Sequence, residues 1–211
     1  MTQTSMTVEK LVNVGNIRQI WESHERRWET SLSQTVQRAF YFEVQKQCQF
    51  VIMATQELEN ALQQYQTDRV FYAIQTLLVA AANISKIFWP PNRRYDDRGR
   101  QLRADLGVAD NSVLALRTFR DHFEHYDERL ETWASSSRRH NIVDTSVMSP
   151  GAISGLDPED FMRNFDPTSY IVTFQGNFSP LKPVIEEVRN LLSRVRVEID
   201  ALFRPRTPNE P

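Results

Sequence analysis

The chain has 211 residues, 40% of them apolar, which suits one domain with a real hydrophobic core. Its net charge is -2, so no global field draws it to nucleic acid or anionic lipid, and any polyanion site must be local. Six glycines are too few for a turn-rich all-β protein, and neither G-x-G-x-x-G nor a P-loop occurs, which argues against dinucleotide and Walker-type folds.

The pattern from Val8 to Glu29 is helical, weakened by Gly15, with Trp21 and Trp28 seven apart on one face. Glu9, Glu22 and Glu25 interrupt it, so it does not resemble a signal peptide. A long helix is predicted from about Leu32 to Tyr65, with Phe40, Val44, Cys48, Val51, Leu58, Leu62 and Tyr65 as its core stripe. Cys48 is the only cysteine, which excludes an intrachain disulfide and fits a reducing compartment. The next helix follows an N-cap at Thr67-Asp68 and buries Val70, Ile74, Leu77, Ala81, Ile84 and Phe88. Pro90-Pro91 ends it. Its apolar run Leu77 to Ala82 is too short to span a bilayer, so the expectation is a cytoplasmic protein without membrane contact.

Residues 92 to 110 read as a polar connection with a short helix around Arg100 to Leu106. It holds Arg93, Arg94, Arg98, Arg100 and Arg103, suited to phosphate contacts, with Tyr95 able to stack a base or to pack. Asp110 to Ser112 then caps a helix running to about Trp133. Leu116, Phe119, Phe123, Tyr126, Leu130 and Trp133 form its apolar stripe, and ionisable residues fill the rest of its surface. Such a face is ordinarily solvated, with Arg120–Glu124 and His125–Arg129 as i, i+4 neighbours. Two β-branched runs, Ile142 to Val147 and Tyr170 to Phe174, read as a hairpin with a long connection. The last helix is predicted to start with Ser179 as cap and Pro180 at its first position, and to bury Val184, Val188, Leu191, Val195 and Ile199. The tail 205–211 is expected to fray. The predicted fold is mainly α: an antiparallel four-to-five-helix bundle in one domain over 1–204, with a β-hairpin insertion at 141–176.

The string Arg120-Asp121-His122-Phe123-Glu124-His125 resembles the motif of the HEPN superfamily: an Arg, a polar residue after it, and a His four to six residues from the Arg. The family often has Asn where this chain has Asp121. The resemblance implies a helical bundle that pairs as a homodimer and builds a composite, metal-independent endoribonuclease site, often in toxins or anti-phage effectors. On that reading Arg120 stabilises phosphate charge, His125 transfers protons and Asp121 orients His125. RNA is the expected substrate, with Arg117 and the five arginines before it as backbone contacts. An antitoxin or regulatory protein is the expected partner, and neither cofactor nor metal is required. Arg117 and His122 offer a second register of the same spacing, but His122 borders the apolar stripe. His122, His125 and Glu128 as metal ligands lack the second Glu-x-x-His helix of a di-iron bundle. The competing reading is a non-catalytic helical dimerisation or partner-binding module that uses the same polar helix as its contact surface.

Overall fold

The computed structural model describes residues 33–115, 125–149 and 151–203. The predicted helix Val8–Glu29 and the tail 205–211 lie outside them.

Ser33 accepts a hydrogen bond from the Val36 N–H at 3.4 Å and so caps the helix that follows. Helix α1, Gln34–Gln63, comes next and buries Tyr41, Val44, Cys48, Val51 and Leu58. Tyr65 does not continue this stripe. It lies past the helix end at φ 55 and is 93% exposed, because the chain reverses there. Helix α2, Thr67–Phe88, begins after three residues. Gln66, without a side-chain cap, takes the N-cap position predicted for Thr67-Asp68. Ala73, Ala80 and Ala82 are buried on α2, and small side chains of this kind let helices approach closely. α2 is long and apolar enough to cross a bilayer, and 56% of its most apolar stretch is buried inside the fold.

Trp89, at φ −124 and ψ 78, ends α2 as the residue before Pro90. The connection then holds more helix than its polarity suggests: a 3-10 turn at Arg93–Tyr95 and helix α3, Asp96–Asp105. Asp96 and Asp97 lie in the first turn of α3, where the helix dipole favours acids. A further 3-10 turn, Val113–Ala115, packs against α2 and the last helix and buries Leu114.

The segment predicted as one helix from Asp110 to Trp133 is not continuous. Ser112 Oγ accepts from the Leu114 N–H at 3.3 Å and so caps only the 3-10 turn, residues 116–124 lie outside the described residues, and helix α4 spans Tyr126–Ser136. His125, at φ −107 and ψ 39, stands in front of it. α4 buries no residue fully: Tyr126, Leu130 and Trp133 are half-buried. It packs on the sheet region, where the Tyr126 ring meets Phe174 edge-on at 6.4 Å.

Four short strands precede the final helix where a two-stranded hairpin was predicted. They are β1 (Ser146–Val147), β2 (Asn164–Asp166), β3 (Ile171–Phe174) and β4 (Asn177–Pro180), in the order β1-β2-β3-β4. β1 pairs in parallel with β2, so the two predicted runs are not partners: β2 lies between β1 and β3. β2 and β4 are rich in Asn, Asp and Pro, poor strand formers that pairing overrides. The true hairpin joins β3 to β4 through Gln175 (φ 45) and Gly176 (φ 78). Two consecutive positive φ angles suit the twist of a two-residue hairpin, and glycine takes the second at no steric cost.

Ser179 and Pro180 belong to β4 rather than to the last helix; Ser179 pairs with Val172. Helix α5, Leu181–Leu202, starts directly from the strand and buries Val188, Leu191, Val195 and Ile199 against α1. Phe42 meets Phe203 at 6.4 Å near the start of α1, so α5 runs antiparallel to α1. Phe165 and Val172 join the same core as the helices, which makes the sheet part of one packed body.

Candidate functional site

Arg117, Arg120 and Asp121 lie outside the described residues, as does His122. His125 is described, and its surroundings are simple. It precedes the first turn of α4, and its side chain is 53% exposed. Its Nδ1 lies 3.6 Å from Glu128 Oε1, an ion pair when the imidazole is protonated. Asp127 and Glu128 stand in the first helical turn, where acids complement the dipole.

The start of α4 is fastened to the sheet region. Arg163 donates through Nε to Asp144 Oδ1 at 2.8 Å and through a terminal nitrogen to Asp144 Oδ2. Its guanidinium lies 4.5 Å from the centre of the Tyr126 ring, and the Tyr126 hydroxyl donates to Asp144 at 3.3 Å. Burial pushes the Asp144 carboxyl up, but the Arg163 hydrogen bonds and charge outweigh it and hold it below its ordinary value. Gln175 Nε2 adds a bond to the Arg129 carbonyl at 3.2 Å. Residue 126, next to His125, is thus anchored at both ring and hydroxyl. Sequence spacing hides this arrangement, because Tyr126, Asp144 and Arg163 sit far apart along the chain.

The five described arginines before this region divide into two groups. Arg98 stacks its guanidinium 4.9 Å from the Phe40 ring centre and 5.1 Å from that of Tyr95. Arg103 donates to Asp110 Oδ1 at 2.8 Å and to the Phe88 carbonyl, and lies over Trp89. Arg100 pairs with Asp97. These three fasten α3 to itself, to Phe40 of α1 and to the end of α2, and Tyr95 is a packing partner of Arg98. Arg93 and Arg94 are exposed and have no acidic partner among the described residues. They remain available to an anion.

Gly99 explains how α3 comes so close. A Cβ there would meet the Phe88 carbonyl oxygen at 2.4 Å and Pro90 Cδ at 2.8 Å. On its other side α3 is tied to α1: Gln37 and the Tyr41 hydroxyl both donate to Asp105 Oδ2. Burial, then the Asp105 charge, pushes the Tyr41 hydroxyl up to about 12, so it stays protonated as a donor.

A separate open groove of about 420 Å³ runs between α1 and α2. Phe50, Tyr72 and Val79 line it with the amides of Gln47, Gln75 and Asn83. Asn83 Nδ2 donates to Gln47 Oε1 at 3.4 Å across its floor. The groove was not anticipated from the sequence. Its signal is Phe50, an aromatic residue off the core stripe of α1. Among the described residues no group of three or more His, Cys, Asp or Glu side chains is placed to hold a metal ion.

No family model, curated protein or solved structure matches this chain.

Proposed function

We propose that the chain is a HEPN-like homodimeric, metal-independent endoribonuclease of the toxin or anti-phage defence type. The observation that carries this reading is His125: an exposed imidazole at a helix start, five residues after Arg120 in Arg-Asp-His-Phe-Glu-His, on a segment whose next residue is anchored. The exposed pair Arg93 and Arg94 supports it by offering cations to a polyanion in a chain of net charge -2.

Cleavage uses the RNA's own 2′-hydroxyl. His125 of one protomer takes the 2′ proton as the oxygen attacks phosphorus; the bond from phosphorus to the 5′-oxygen breaks; the partner copy's imidazole protonates that leaving oxygen. Arg120 holds the charge on the non-bridging oxygens, and Asp121 orients His125. The products carry a 2′,3′-cyclic phosphate and a 5′-hydroxyl.

The test is incubation of the purified protein with RNA in EDTA beside Arg120→Ala and His125→Ala. The wild type should cut and leave cyclic phosphate ends. Each variant should lose about 10²- to 10⁴-fold in rate, and His125→Ala should keep its stability within about 0.5 kcal/mol because the side chain is exposed. Cleavage by His125→Ala at the wild-type rate overturns the assignment. Intact RNA in every case favours the helical dimerisation or partner-binding module.

A further inference from the structure

We propose that the groove between α1 and α2 holds an unpaired base of single-stranded RNA, adenine by preference, and that the amides of Gln47 and Asn83 read the base edge. The proposal rests on the RNA reading above for the source of the base and adds the residues that select it. It starts from a polar side chain in an apolar place. Gln47 stands between Val44 and Val51 of the α1 core stripe and is only 8% exposed. A buried amide costs free energy unless its donors and acceptors are used. Gln47 Nε2 donates to Glu43 Oε1 at 2.7 Å, and Gln47 Oε1 accepts from Asn83 Nδ2 at 3.4 Å. A primary amide has two N–H donors and an oxygen with two lone pairs, so these bonds use half of what Gln47 offers. Asn83 keeps one N–H and its whole carbonyl oxygen. Both side chains line the groove, and the pair therefore presents unused donors beside unused acceptors there.

The rest of the lining suits a flat aromatic ligand. Phe50 follows Gln47 by three residues and Val79 precedes Asn83 by four, so each lies about one turn, roughly 5 Å, along the groove from the amides. They are 42% and 37% exposed and give a base apolar surface to lie against. No charged side chain lines the groove, so phosphate must stay outside it. Cations stand beyond the amide end. Phe40 is seven residues before Gln47, within about 20° of the same face of α1 and roughly 10 Å along it. Arg98 stacks on Phe40 and on Tyr95, which brings the exposed pair Arg93 and Arg94 to that end of α1. Adenine fits the amides best. It carries a donor beside an acceptor on two edges, its amino group with N1 and its amino group with N7, and an Asn or Gln amide matches such an edge. The N7–O6 edge of guanine has two acceptors and calls for an Arg or Lys that the groove lacks. A pyrimidine offers one matched edge and a smaller face.

Binding is measured apart from cutting, with full-length His125→Ala in EDTA and fluorescently labelled oligo(rA) and oligo(rU). Oligo(rA) should bind about tenfold more tightly than oligo(rU). Asn83→Ala and Phe50→Ala should each weaken oligo(rA) about tenfold, bring it level with oligo(rU) and keep the α-helical circular dichroism. Met53→Ala, at a residue 62% exposed but outside the groove lining, should leave both affinities as they were. Equal binding of the two oligonucleotides, binding of neither, or a preference that survives both groove variants overturns the proposal. Tighter binding of free adenosine or AMP than of oligo(rA) makes the groove a site for a free nucleoside or nucleotide and overturns it too. Wild-type protein that leaves RNA uncut while His125→Ala keeps the adenine preference removes the ribonuclease and upholds this site; cutting without any base preference does the reverse.

Discussion

Asp144 and Arg163 show how single side chains hold α4 in place. Each is about a quarter exposed, and the two meet through paired hydrogen bonds beside Tyr126. Arg163→Ala should cost about 1.5–3 kcal/mol, the range for hydrogen bonds to charged groups, and leave Asp144 half-buried without its partner. Urea unfolding followed by circular dichroism checks this. The Asp144 carboxyl titrates below its ordinary value of 3.8 in the folded protein. Its contribution is therefore complete above that value and is lost as pH falls through the lower, folded-state one. Stability measured from neutral pH down to about pH 2 should decline along this limb in the wild type. Asp144→Asn should be less stable at neutral pH and show a shallower acid decline. An unchanged acid slope in Asp144→Asn would remove the pair from the account.

Helices α1, α2 and α5 were legible from the spacing of their apolar residues, because their stripes face one core: Val44, Cys48, Val51 and Leu58 are all buried, as are Ile74, Leu77, Val188 and Leu191. The segment after Asp110 was not. Its 3-4 spacing predicts one helix, yet Val113–Ala115 is a 3-10 turn, His125 has non-helical backbone angles and α4 packs on the sheet region. Periodicity reports which side of a segment is apolar, not whether the backbone stays continuous or which element receives it. β2 and β4 were missed for a related reason: Asn164, Asp166, Asn177 and Pro180 are placed by partners and turns rather than by propensity. Of the candidate site, the residue types were readable, but the tie from Tyr126 to Asp144 and Arg163 depends on contacts distant in sequence. α3 offers the sharpest test at this scale. Gly99→Ala forces a Cβ against backbone that has no freedom to move, the Phe88 carbonyl. It should destabilise by about 1–3 kcal/mol and loosen α3. Faster amide hydrogen exchange over residues 96–105 than over α1 would report this.

Across the whole molecule, helices and sheet share one interior, since Phe165 and Val172 pack in the cluster that holds Leu58, Ile74 and Leu191. β4 also passes into α5 with no intervening loop, so the sheet cannot shift without moving a core helix. Cys48 sits at 0% exposure among these groups, and burial pushes its thiol up to about 12. The chain thereby carries its own gauge of breathing. An alkylating reagent can consume this sulfur only during moments when the helices separate. Native protein should react at least about 10⁴-fold more slowly than urea-unfolded chain. The reaction should accelerate with urea in step with loss of helical signal. Rapid alkylation of a fully helical protein would mean that α1 parts from its neighbours far more readily than this interior allows.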